Sequence, residues 1–63
     1  MMVSMVGQDS VRVVDVETSV VPNVGDEVAY NNRLYMVVGR RMIVDRSRTD
    51  ISWLLTVRRL EGL

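Results

Sequence analysis

Fourteen of the 63 residues are Val, and none is Phe, Cys or His. That combination constrains the fold more than any single motif. A side chain branched at Cβ has restricted χ1 freedom and packs well on a pleated, half-buried surface, so the local preference is for strand. Without Cys there is no disulfide framework and no thiolate metal site, and without His the usual zinc ligands are gone. A core of this size supplies only about 3–5 kcal/mol, and small domains ordinarily add a disulfide, a metal or a partner subunit. The first two are missing here, and an apolar share of 48% is high for so small a body. The expectation is a small all-β domain with part of its surface covered by another chain, by default a second copy.

Alternation places the strands. Residues 1–9 read as a flexible lead-in and residues 10–63 as a single small β-barrel domain. The first strand is predicted from Val11 to Val21, with Val11 and Val13 on one parity and Val14, Val16, Thr18 and Val20 on the other. Successive side chains of a strand point to opposite faces, so this switch predicts a bulge near Val13–Val14. Pro22-Asn23-Val24-Gly25-Asp26 is turn chemistry, and Glu27–Tyr30 forms the second strand. Asn31-Asn32 predicts a two-residue type I′ hairpin, because Asn tolerates the positive φ that both positions need. Tyr30 then faces Arg33, and Val28 faces Tyr35. One face holds Val28, Tyr30, Tyr35 and Val37 with Arg33 at its rim, and the other holds Ala29, Leu34, Met36 and Val38.

Gly39 marks a bend, after which Arg40–Val44 pairs with a last strand beginning at Ile51. The hairpin tip is Asp45-Arg46-Ser47-Arg48-Thr49-Asp50, with Asp45 expected opposite Asp50. That register sets Val44 against Ile51 and Met42 against Trp53, giving an inward row of Met42, Val44, Ile51, Trp53 and Leu55. Five short antiparallel strands with tight turns fit a small bent barrel better than an open sheet, because closure removes exposed edges.

The run Pro22-x-Val24-Gly25-Asp26-x-Val28, followed by Arg33-x-Tyr35-x-Val37-Val38, resembles the opening strands of SH3-like small barrels. It looks most like the short accessory proteins of phage and bacteria built on that barrel, and distantly like KOW-type modules. The resemblance covers roughly residues 20–45 and implies an SH3-like barrel. The further glycines of the KOW pattern are absent downstream, which weighs against nucleic-acid binding by that analogy.

The zero net charge hides a split. Residues 1–32 carry one Arg against five carboxylates, a net −4; residues 33–63 carry seven Arg against three, a net +4. All eight basic residues are Arg, whose planar fork suits carboxylate or phosphate. Arg40, Arg41, Arg46, Arg48, Arg58 and Arg59 are therefore a candidate basic patch, either gripping phosphates or forming a charged rim that protects edges. The opposite charges of the two halves either steer a partner into register or interleave and vanish in three dimensions. Leu34, Met36, Val38 and Leu54 form the second apolar face, a candidate protein interface or, with a one-residue slip, ordinary core.

The carboxylates lack calcium-loop spacing, and there is no nucleophile–base pair or Gly-rich phosphate loop. The sequence thus leads to no catalytic residue, no cofactor and no metal site. The chain reads as a cytoplasmic, non-enzymatic protein-binding module that self-associates; its brevity and its resemblance to small SH3-like accessory proteins imply the phage-encoded accessory or inhibitor kind. It would occupy a surface on a host or viral protein partner. The alternatives are a nucleic-acid-binding barrel and a structural subunit of a viral particle. No stretch approaches the ~20 apolar residues of a membrane helix.

Overall fold

The computed structural model describes residues 1–46 and 51–60. Every regular element among them is a strand: β1 (Met2–Gly7), β2 (Arg12–Glu17), β3 (Glu27–Tyr30), β4 (Arg33–Val44) and β5 (Ile51–Arg59). They form one curled sheet in the order β2-β1-β5-β4-β3, a half-barrel whose edge strands β2 and β3 do not pair. The molecule is elongated, 39 × 22 × 18 Å, because the β4–β5 hairpin outruns its neighbours. No described helix is long and apolar enough to cross a membrane.

The lead-in reading of residues 1–9 is corrected. Met2–Gly7 is an inner strand, paired with β2 on one side and β5 on the other. Its alternation sends Val3 and Met5 into the core, only 1% and 3% exposed, and Met2 and Ser4 to the other face. A tight turn at Gly7–Ser10 makes this strand one half of a hairpin. Gly7 N–H donates to the Val11 carbonyl at 2.8 Å, and Asp9 Oδ1 accepts from Val11 N–H at 3.1 Å.

The expected all-antiparallel barrel is corrected too. Chain direction alternates along five strands, so β1 and β5 run the same way and pair in parallel. The expected count of five is met by a different set of strands. β1 is added, while Arg33–Val38 and Arg40–Val44 fuse into one strand with a bulge between Val37 and Gly39. β2 is shorter than Val11–Val21, because Thr18 Oγ1 accepts from Val20 N–H at 3.1 Å and turns the chain out of the sheet.

Other expectations hold closely. Val13 is the unpaired residue of a bulge in β2, where Met5 faces Val14 and Val6 faces Arg12. Asn31 and Asn32 both have positive φ, 52° and 60°, and the hairpin pairs Tyr30 with Arg33, Ala29 with Leu34 and Val28 with Tyr35. Met42 faces Trp53, and Val44 faces Ile51. The proposed pairing of Asp45 with Asp50 falls outside the described residues.

Val3, Met5, Tyr35, Val37, Leu55 and Val57 are the buried core, with Val13, Val14, Val21, Val28 and Trp53 packed around them. One end of the half-barrel is closed by the 18–26 loop. There Gly25 N–H donates to the Val37 carbonyl at 2.8 Å, and Val37 N–H donates to the Asp26 carbonyl at 2.9 Å. The other end, between the Gly7–Val13 turn and the Asn31-Asn32 hairpin, stays open.

Candidate functional site

Two surfaces stand out, at opposite ends of β4 and β5. The first is the far half of the hairpin. β1 reaches along β5 only from Ser52 to Val57, and β3 covers β4 only from Arg33 to Met36. Towards the hairpin tip no described strand flanks the pair, and the inward row keeps its register but loses burial. Leu55 is fully buried and Trp53 half-buried, yet Met42 is 51%, Val44 67% and Ile51 42% exposed. Ile43, on the opposite face of β4, is 44% exposed. The expected inward row is thus core at one end and bare surface at the other.

Arg40 marks the boundary. Its guanidinium carbon lies 4.3 Å from the Trp53 ring centroid, and its Nη1 donates to Asn23 Oδ1 in the closing loop. A cation over an indole face is attracted by the ring quadrupole. Arg40 therefore caps the core and ties the hairpin to the loop.

The predicted interface residues lie where the outward stripe was expected. Leu34, Met36 and Leu54 are half-buried on the convex face, and Val38, also half-buried, is the extra residue of the β4 bulge. Ile43 continues this stripe beyond Leu54. The structure leaves these four less open than the hairpin end.

The predicted basic patch divides. Arg41 faces Leu54 and Arg58 faces Met36, four residues further along β5, a separation of about 13 Å. Arg58 Nη2 lies 3.7 Å from Met36 Sδ on the convex face, while Arg59 pairs with Tyr35 on the concave face. Arg46 is exposed at the hairpin tip, and Arg48 falls outside the described residues. The charge halves interleave: Arg-bearing β4 and β5 are central, between Asp15 and Glu17 on β2 and Glu27 on β3.

The second surface is the open end, a cleft of about 480 Å³. Register places Tyr30, Arg33, Tyr35 and Arg59 on one concave face, and all four line the cleft. Tyr35 is the buried floor, and Tyr30 is 42% exposed on the wall. Gln8, Asp9 and Arg12 form the far rim. Arg12 donates to Asp15, and Asp9 is engaged by its own turn. Arg33 and Arg59 make no ion pair with a described carboxylate. Sequence reasoning set Arg33 beside Tyr30 but did not join them to Arg59, since that step needs the β4–β5 register at its far end. The available signal was an Arg directly across an I′ turn from a Tyr.

Asp15 is held below its ordinary carboxyl value of 3.8, first by a hydrogen bond from Ser4 and then by Arg12, against a small opposing cost of desolvation. Among the described residues no group of three or more His, Cys, Asp or Glu comes together as a metal site. Compared with protein-family models, curated proteins and solved structures, the chain matches none.

Proposed function

We propose that this chain is a non-enzymatic protein-binding module on an SH3-like half-barrel, and that the far half of the β4–β5 hairpin is its binding element. The observation that carries this reading is the bare apolar end of the hairpin: Met42, Val44 and Ile51 on one face, Ile43 on the other. Exposed apolar residues scattered singly need no explanation, but a contiguous set on a projecting element marks an interaction surface. Leu34, Met36, Val38 and Leu54 extend it along the convex face, and Arg41 and Arg46 supply an orienting charged rim. A phage-type accessory or inhibitor role, acting by occupying a surface on a protein partner, fits a body this small. A second copy is the first partner to test, because the core is short of material for a free-standing domain.

Light scattering on a sizing column tests this. The wild-type chain is expected as a discrete oligomer that stops growing with concentration, whereas a particle subunit keeps growing. Replacing Met42 and Val44 with Ser should yield a folded monomer, since both are already exposed. A wild-type chain that is monomeric at all concentrations, and whose mass the double variant leaves unchanged, removes self-association from the reading.

A further inference from the structure

We infer that the open cleft of the half-barrel is a second binding site, for a nucleotide unit of single-stranded nucleic acid: Arg33 and Arg59 take phosphates, and Tyr30 stacks on a base. The inference is independent of the hairpin reading, because the cleft shares no residue with the bare hairpin end or with its extension along the convex face.

Three observations carry it. The first is charge with no ion-pair partner among the described residues. Glu17 pairs with the N-terminal amine and Asp15 with Arg12, and neither pair involves Arg33 or Arg59. The cleft's own carboxylate, Asp9, holds its turn through Val11 N–H. Arg33 and Arg59 therefore place positive charge on a concave surface where low-dielectric walls focus the field. The second is a ring on the same wall. Tyr30 and Arg33 are direct cross-strand partners, so an open aromatic face and a guanidinium fork sit side by side. That pairing of stacking platform and cationic groove is how single strands are held without sequence readout. The third is shape. A cleft of about 480 Å³ lies within the ordinary range for small-ligand pockets. It admits an unstacked base, whereas a duplex keeps its bases inside the stack.

Arg accepts carboxylate as readily as phosphate, so an acidic peptide is the competing ligand. It would satisfy Arg33 and Arg59 but make no use of the Tyr30 ring, and that difference decides the experiment. The measurement is fluorescence anisotropy of a labelled oligothymidylate of about ten nucleotides, titrated with the full chain at several salt concentrations. With about two phosphates neutralised, log K is expected to fall against log salt with a slope of about −1.4. The pair Arg33→Ala/Arg59→Ala should weaken binding by about tenfold or more and flatten that slope. Tyr30→Leu, which keeps an apolar side chain and removes the flat ring, should weaken binding about fivefold at unchanged slope. All three residues lie outside the buried core, and thermal melts of each variant check that the fold is kept.

Four results would overturn the proposal. Poly-glutamate of matched length displacing the oligonucleotide at equal charge would assign the cleft to acidic peptides. Tyr30→Leu binding as tightly as wild type would remove the stacked base. Loss of binding in Arg41→Ala/Arg46→Ala, with Arg33→Ala/Arg59→Ala unaffected, would move any nucleic-acid site to the hairpin. No measurable binding at low salt would remove the site altogether.

Discussion

Gly25 holds φ at 97°, and its N–H is spent on the Val37 carbonyl that closes one end of the half-barrel. Space is not the issue there, since nothing lies within 4 Å of an added Cβ. The cost of Gly25→Ala is conformational, about 1–2 kcal/mol, read as a lower midpoint in urea unfolding. Asn31 and Asn32 are the same argument in a milder form, as Asn enters the left-handed region more cheaply than a β-branched residue. Asn32→Val should cost more than Asn32→Gly, and equal midpoints would show that the turn does not constrain the hairpin.

Asp15 supplies a test in acid. Its folded-state value is depressed, so its ionised form favours the native state above the ordinary value of 3.8, and that contribution is lost as pH falls through the folded value. Wild type should melt above Asp15→Asn at neutral pH, and the two should converge below pH 3.8. Arg12 and Asp15 both reach solvent, so added salt should narrow the gap. A gap independent of pH would assign the difference to the amide itself.

At the scale of elements, β1 and the β4–β5 hairpin show opposite outcomes of similar alternation. Met2–Gly7 has a short period-2 pattern with no turn signal ahead of it, and read alone it resembles a tail. It becomes core because β5 offers a parallel edge. Met5→Ala should cost about 2–5 kcal/mol, enough to unfold much of so small a domain, while Val11→Ala at a 61% exposed position should cost little. Comparable midpoints for the two variants would return residues 1–9 to the role of a tail. The hairpin has the cleaner alternation and the weaker burial. Arg40→Ala should free the Trp53 ring, shift its emission and lower stability by about 0.5–1 kcal/mol.

For the whole molecule, the two proposed surfaces are separable by design. Serine variants at Met42 and Val44 should change mass and leave oligonucleotide affinity alone. Alanine variants at Arg33 and Arg59 should do the reverse. A chain in which both sets move both readouts would place the surfaces in one interface, for instance an oligomer that builds the cleft from two copies. The half-barrel gives the reason for expecting separation. The bare hairpin end and the open cleft lie at opposite limits of β4 and β5, so each surface can change without repacking the core between them.

Local chemistry made much of this structure legible in advance. Val-rich alternation, the Asn31-Asn32 turn and the bulge at Val13 depend on neighbours a few residues apart, and the pairing of Met42 with Trp53 joins positions only eleven apart on adjacent strands. The resulting register already set Tyr30 beside Arg33 and Leu34 opposite Ala29. What required the tertiary structure was which strands meet when they are distant in sequence. The parallel pairing of β1 with β5 joins residues about fifty positions apart, and no local propensity encodes such a contact. That same pairing fixes where cover ends. Alternation says which way Val44 and Ile51 point, but only the lengths of the neighbouring strands decide whether anything lies there to bury them.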